Sequence, residues 1–542
     1  MRCLHTDVLV VGSGIAGLYA AICCRQAGLR VTICSKSRPG AGSCSALSQG
    51  HFRSETRRFS KAEHRRLTLE AGRGLNREAL LDILVDQARE AILRLKDFGV
   101  ELLEAGRSFA SSPEKIGLEG RSITRPLVAR AASIGVEFCT PFFAWKVMEL
   151  DGRAAGIGGF FQADAEPGLI LARAVILATG GAGAVYQWSD NPQGMSGDGY
   201  AMAYRAGLPL MDMEFVQFFP FTLAGSSRTS LLVPPLVAEI GTLSNARQEK
   251  VVEKYGITRR PLAVAARDQL SLAMARELEA GLDVQGAFEL QVPEEEAVWR
   301  RAGEAFGVDG IEQLKSWVFK ISQGTGSLLV RPGAHFCMGG VIIDECCRTE
   351  LEGLLAAGEI VGGLHGANRY GGNALTETVV FAGIAAGQAI QSVQAAPGED
   401  VSHQGTALEW ARANLSAPLR QPGRAHRGQA PGMAAIRGRL QTLMWEQAGL
   451  IRSETGLHRA ESELERLRQD LDRVQPGPGT HFQYYENRNR LLSAELIVKS
   501  ARMRRESRGA HFRADFPDPD PDWSGHILIR KGEQGMQLGF VK

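Results

Sequence analysis

The chain has 542 residues, with 62 Lys and Arg against 60 Asp and Glu and a formal net charge of +2. At about 100–200 residues per domain this length suggests roughly three structural units. The near balance of charge excludes a global field that would draw nucleic acid, so no nucleic-acid partner is expected. No run of about 18 apolar residues occurs, so no direct membrane span is expected. The N-terminus lacks a signal-peptide cleavage pattern. The nine cysteines are Cys3, Cys23, Cys24, Cys34, Cys44, Cys139, Cys337, Cys346 and Cys347. They form no C-x-x-C unit and no usual zinc or iron–sulfur spacing, so no metal site is expected. Their odd count fits reduced thiols and a cytoplasmic location.

Residues 7–11 are a short apolar run, a buried strand by length and composition. Gly12-Ser13-Gly14-Ile15-Ala16-Gly17 follows, then a helical stretch to about residue 27 and a strand at 31–34. The glycines put small residues where backbone must approach a pyrophosphate. The helix behind them aims its free N–H groups and positive dipole end at the anion. The pattern points to FAD or NAD. Ser35 and Lys36 stand where an acid usually holds the ribose, which argues against a plain NAD site. A second apolar strand, 174–179, runs into Gly180-Gly181-Ala182-Gly183. A third, 354–357, runs into Gly358-Glu359. Three distant strands that each end in glycine predict one discontinuous parallel sheet. Two stretches are basic, 53–66 and 420–427. They read as a solvated helix face and a linker, with a docking surface as the alternative.

The remaining motifs come in a fixed order. Tyr186 is followed by Asn191-Pro192 and by Ser196-Gly197-Asp198-Gly199. Met213-Glu214-Phe215-Val216-Gln217-Phe218 comes next. Later stand Ala334-His335-Phe336, Ala357-Gly358-Glu359, His365-Gly366-Ala367-Asn368-Arg369 and Asn373-Ala374-Leu375. Near the end are Glu486-Asn487-Arg488-Asn489 and Arg508-Gly509-Ala510-His511. In order and spacing the chain resembles the succinate dehydrogenase/fumarate reductase/L-aspartate oxidase flavoproteins, from about residue 7 to 517. The Tyr186 region, the length and the C-terminal helices look most like L-aspartate oxidase. The fold class expected is α/β: a discontinuous Rossmann-like FAD-binding domain with an inserted α+β capping domain and a C-terminal helical domain. The expected boundaries are 1–219 and 336–395 for the FAD-binding domain, and 220–335 for the capping (substrate) domain. A linker at 396–432, a helical domain at 433–515 and an extended tail at 516–542 complete the chain.

The resemblance implies residue roles. Gly12, Ser13, Gly14, Ala16 and Gly17 form the dinucleotide loop, and Ser35 and Lys36 lie by the adenosine. Ser43, Cys44, Ser45 and Gly50 belong to a loop that wraps the flavin. Ala178, Asp198 and Glu359 hold FAD, and Asn373, Ala374 and Leu375 lie against its ring. Arg369 and His335 grip substrate carboxylates, and Arg267 transfers a proton.

The chain departs from the family in three places. Phe219 replaces a substrate-contacting histidine. Leu232-Val233-Pro234-Pro235 and the residues after it lack a threonine donor and the glutamate of the proton relay. Cys44 replaces the histidine that links flavin in the membrane-complex enzymes, so FAD is expected to be non-covalent. A buried site loses about 1–3 kcal/mol for each substrate oxygen left unpaired. Fumarate, succinate and aspartate are therefore disfavoured, and an acid with one carboxylate and an apolar portion fits better. The expected function is FAD-dependent oxidation or reduction of a small organic acid. The alternatives are a flavin electron-transfer subunit with an iron–sulfur or other electron-transfer partner, and L-aspartate oxidase.

Overall fold

A computed structural model describes residues 1–111, 119–162, 166–225, 230–308, 310–395, 404–415, 432–476 and 480–542. The basic stretch at 420–427 lies outside the described residues. The central sheet runs in the order Glu137–Cys139, Val31–Cys34, Arg2–Val11, Pro167–Leu177, Arg153–Phe161, Phe142–Leu150, and Leu354–Ala356 also pairs with Pro167–Leu177. The three glycine-terminated strands lie side by side and parallel. Val11 pairs with Leu177, and Leu177 pairs with Ala356, so all three end at one edge. Val8, Leu9 and Val10 are wholly buried. A parallel sheet is covered on both faces, which is why this strand reads as a continuous apolar run.

The helix Ile15–Gln26 starts at the sheet's carboxyl edge and packs against the long helix Asn373–Ala395. Its residues from Ile15 to Cys24 are all buried. Each large side chain so buried contributes about 1.5–3 kcal/mol relative to exposure.

The second layer is a four-stranded antiparallel sheet ordered Val216–Leu223, Ser327–Cys337, Phe288–Gln291, Thr242–Ser244. The helix Arg267–Glu279 packs on it. Its two longest strands run through the boundaries expected at 219/220 and 335/336, so the capping sheet grows directly out of the FAD-binding layer. Helices Met433–Ala448, Glu454–Asp472 and His481–Met503 pack together at the C-terminal end.

Two expectations need correction. Within the 396–432 linker, Gln404–Leu415 is a helix, with Ala407, Ala411 and Leu415 buried against the sheet. Residues 516–542 are not a free extended tail. His526–Gly532 and Gly535–Val541 form a hairpin that joins Leu210–Met211 in a sheet. The buried Arg504 anchors it, donating to Glu214 Oε1 (2.6 Å), Glu506 Oε1 (3.0 Å) and the Trp523 and Gly525 carbonyls. Removing one partner from such a buried network costs about 3–5 kcal/mol.

The basic stretch at 53–66 is largely neutralised. Arg65 pairs with Glu78 and Asp82, Lys61 with Asp86 and Arg66 with Glu70. Arg53 is buried and donates to the Gly371 and Arg107 carbonyls.

Candidate active site and cofactor cleft

A cavity of about 240 Å³ opens at the carboxyl edge of the parallel sheet and runs beneath the antiparallel one. In open α/β sheets ligands bind at this edge. Two helix N-termini, at Ile15 and Asn373, stand beside it.

The glycines of the first turn divide into two kinds. A Cβ on Gly12 would lie 2.2 Å from the Ala178 carbonyl oxygen, and Gly12 has φ +113°. A Cβ on Gly17 would lie 2.0 Å from the Gly12 carbonyl oxygen. Both are demanded by strand–helix packing, and Gly17 does not line the cavity. Gly14 does line it, and its Cβ would meet nothing nearer than Ser45 Oγ at 3.2 Å. Its bareness therefore serves a ligand, not the chain.

Around this turn Ser13 Oγ donates to Ser35 Oγ (3.1 Å), and Ser45 Oγ accepts from the Ile15 amide (3.1 Å). Ser43 Oγ accepts from the Ala46 amide. Ala16, Cys44, Gly50 and Ala178 also line the cavity. Lys36 donates to Asp198 Oδ2 (2.6 Å) and Ser196 Oγ (2.9 Å) and pairs with Glu486. Burial disfavours the ammonium, but Asp198 and Glu486 together hold its pKa above the ordinary value. Asp198 also accepts from Asn489 Nδ2 (2.7 Å), so its carboxylate joins the C-terminal helices to the cleft.

At the far end, Glu359 Oε1 accepts from the Cys337 amide (3.1 Å). Burial raises this carboxyl to about 7, against the opposing pull of that amide. Ala374 and Leu375 line the cavity at the helix start. Asn373 does not: its side chain is turned to Thr68 Oγ1 (2.9 Å) and His64 Nε2 (2.8 Å). Burial, then the charges of Glu359 and Asp190, hold the Cys44 thiol well above its usual value, so it is not a thiolate.

Three side chains expected to be catalytic meet at this end. Arg267 and Arg369 are buried, at 7% and 3% exposure. Arg369 Nη2 donates to Gln217 Oε1 (2.9 Å), and Arg267 Nη1 donates to the same oxygen (3.2 Å). Arg267 Nε donates to the Ala263 carbonyl (2.6 Å). Among the described residues neither arginine has an ion pair. Burial, and next the charge of Arg369, pull Arg267 well below its ordinary pKa. Burial pulls Arg369 down to about 10 against the opposing charges of Glu359, Glu377 and Asp190. Both remain cations at neutral pH.

His335 Nδ1 lies 2.5 Å from Asp190 Oδ2. Burial lowers its pKa, Asp190 opposes this, and the two arginines reinforce it. Phe219 stands beside both groups, 5.3 Å from the His335 ring and 5.1 Å from the Arg267 guanidinium. Leu232 lines the cavity nearby. Glu239 faces elsewhere, accepting from the Leu262 amide (2.7 Å) and pairing with Arg260.

Gln217 and Asp190 are the functional side chains that sequence reasoning missed. Gln217 sat inside a motif already singled out, but nothing in its spacing shows that its oxygen joins two arginines. Asp190 adjoins Asn191-Pro192 and meets His335 only in three dimensions.

Two observations suit a long ligand with a pyrophosphate. One is the open backbone at Gly14. The other is Thr179 Oγ1, buried at the cavity with no hydrogen-bond partner. Fold and cleft together define an FAD-dependent oxidoreductase. Residues 7–375 match the family described as FAD binding domain, and residues 437–541 match fumarate reductase flavoprotein C-term. An uncharacterized FAD-dependent oxidoreductase of Methanocaldococcus jannaschii is 32% identical over 99% of this chain and 98% of that protein. The flavoprotein-like subunit of the CoM/CoB fumarate reductase of Methanothermobacter marburgensis is 30% identical over 98% of each. A solved chain of E. coli quinol fumarate reductase superposes with a TM-score of 0.87 at 25% identity, covering 100% of this chain and 97% of that one. The chain belongs to the fumarate reductase/succinate dehydrogenase flavoprotein family.

Proposed function

We propose that this chain oxidises or reduces an organic acid that carries one carboxylate and an apolar remainder. The observation that carries the proposal is the pair Arg267 and Arg369. Two buried guanidiniums face one cavity, share a single neutral acceptor and have no carboxylate of their own. Unpaired buried cations are costly, so such a pair suits a ligand that brings the anion. Arg369 supplies the planar fork that matches a carboxylate. Phe219 and Leu232 make the wall around it apolar, which disfavours a second carboxylate.

FAD supplies hydride chemistry when bound. Ser13, Gly14 and the Ile15 helix start would hold its pyrophosphate, and Ser35 and Lys36 would stand by its adenosine. Glu359, Ala374 and Leu375 would approach its ring end. The high thiol pKa of Cys44 supports non-covalent binding.

A separate electron carrier, such as an iron–sulfur protein, completes the proposal. Among the described residues no group of three or more His, Cys, Asp or Glu is placed to hold a metal, so electrons need another carrier. The M. marburgensis relative is one subunit of its enzyme, which supports the same view. No described helix is long and apolar enough to cross a membrane. The nine free thiols support a reducing, cytoplasmic location.

The test is anaerobic flavin reduction and reoxidation, followed optically against a panel of acids. Crotonate, butyrate and longer or aromatic monocarboxylates should react or perturb the spectrum. Fumarate, succinate and aspartate should be weak. Turnover of any of those three near the ordinary enzyme median of about 10 per second would overturn the proposal.

A further inference from the structure

Neither arginine at the cavity has a carboxylate to return a proton to it. Arg267 is bonded only to a carbonyl and to a neutral amide. The segment that follows its neighbouring strand presents Leu232 and Pro234, and Glu239 is occupied by Arg260 and the Leu262 amide. An arginine that gave up a proton here would hold a very unfavourable form with nothing to restore it.

Among the described residues lining the cavity, the histidine bonded to a carboxylate is His335. We propose that His335, held in position by Asp190, is the group that moves the proton in this chain, and that Arg267 serves only to bind the anion. This rests on the proposed organic-acid substrate.

The pair is held from one loop. Ser189 Oγ donates to the Ala334 carbonyl (2.8 Å), and the Asp190 amide donates to the same oxygen (3.3 Å). Asn191 Nδ2 donates to Asp190 Oδ1 (2.9 Å) and to the His335 carbonyl (3.0 Å). Backbone and ring of His335 are therefore fixed together. With Asp190 as acceptor, the ring carries its proton on Nδ1, and Nε2 keeps its lone pair. Nε2 has no hydrogen-bond partner among the described residues, and the side chain is 18% exposed toward the cavity.

The charged groups that face the ring are Asp190 from the loop, Arg267 from its helix and Arg369 from the segment before Asn373–Ala395. Phe219 covers it with an uncharged ring. Burial and two nearby cations favour the neutral imidazole, so the resting form is the base. This suits removal of hydrogen. Nε2 takes a proton from one carbon of the acid, and the electron pair of that C–H bond becomes the new carbon–carbon π bond. The neighbouring carbon releases hydride to FAD, which gains both electrons, and the imidazolium passes its proton to solvent. Reduction of an unsaturated acid runs the same steps backwards.

The test uses the full-length, FAD-loaded protein as wild type, His335→Gln, Asp190→Asn and Asp190→Glu. In imidazole ¹⁵N spectra the His335 signals are those absent from His335→Gln. They should show a protonated Nδ1 and a bare Nε2 at neutral pH. Asp190→Asn should move the His335 midpoint down by about 1–3 pH units, the effect of removing one adjacent opposite charge. Asp190→Glu should restore most of it. Reoxidation of the dithionite-reduced enzyme by crotonate should slow by about 10²–10⁴ in His335→Gln, the usual reach of general acid–base catalysis. Crotonate affinity should change less than about threefold, since the arginines that bind the anion are untouched. A protonated Nε2, a midpoint indifferent to Asp190→Asn, or an unchanged rate in His335→Gln would each overturn the proposal. If crotonate fails to bind the wild type, the substrate class is wrong, and the spectra still decide the role of the dyad.

Discussion

Gln217 Oε1 accepts one hydrogen bond from Arg369 and one from Arg267, 2.9 and 3.2 Å long. Its Nε2 donates to Asn368 Oδ1 (2.7 Å) and the Arg369 carbonyl (2.9 Å). One neutral amide thus sets the spacing of two buried cations. Gln217→Leu removes the shared acceptor and leaves both guanidiniums to repel. Carboxylate affinity, read from the perturbed flavin spectrum, should fall roughly ten- to hundredfold, as expected when a charge-assisted bond worth about 1.5–3 kcal/mol is lost. FAD content should stay the same. Unchanged affinity would mean that Gln217 does not organise the site.

Arg369→Lys keeps the charge and loses the fork. Its expected cost is also about ten- to hundredfold in binding or turnover of a carboxylate substrate, because lysine offers a point charge in place of two parallel donors. Electron transfer from a partner protein should be little altered. Equal turnover in the variant would remove Arg369 from the substrate site.

The glycines of the first turn should separate cofactor binding from folding. Gly14→Val should express as a folded chain without flavin, since the added side chain points into the cavity and not into the protein. Gly17→Ala should instead lower the melting temperature, because its Cβ would sit 2.0 Å from the Gly12 carbonyl oxygen. Full flavin occupancy in Gly14→Val would show that this turn is not the pyrophosphate site.

Acid precipitation should release the flavin to the supernatant. Cys44 is held as a neutral thiol by burial and then by Glu359 and Asp190, which is a poor state for attack on a ring. Colour retained in the pellet would point to a thioether.

Glu359 gives a pH signature in the flavin-free protein. Its folded pKa, raised by burial from 4.5 to about 7, means that the native state keeps a proton that the unfolded chain has lost. Stability should therefore fall as pH rises from about 4.5 to 7, by up to about 3 kcal/mol at about 1.4 kcal/mol per unit. Glu359→Gln should flatten that part of the curve of melting temperature against pH. Parallel curves for the two proteins would show that this carboxyl titrates normally.

The parallel sheet was legible because its three strands are apolar throughout and each stops at glycine. That pattern survives any sequence distance, and Arg2–Val11, Pro167–Leu177 and Leu354–Ala356 do meet. The hairpin at the C-terminus was hidden because its hydrophobic face is thin: Gly535–Val541 alternates exposed and half-buried residues, and nearby prolines suggest an open chain. The helix Gln404–Leu415 was obscured by the Pro- and Gly-rich composition that surrounds it. In the site, the chemistry-bearing types Arg267, His335 and Arg369 were visible by motif. Their partners were not, because a hydrogen bond between residues 50 to 152 positions apart leaves no trace in local spacing. Asn373 shows the opposite limit: it belongs to a cofactor motif, yet its side chain secures His64 and Thr68.

The edge at which those three strands end has a consequence for synthesis. A chain growing from its N-terminus makes the glycine turn first, but the walls opposite it come from residues near 180, 358 and 375, and Lys36 waits for Glu486. The early segment cannot grip a dinucleotide by itself. Cofactor capture is therefore a late event in the life of each molecule. Once captured, the ligand ties regions separated by hundreds of residues, so every unfolding event must first let it go. Flavin supply in the cell then sets how many finished chains persist.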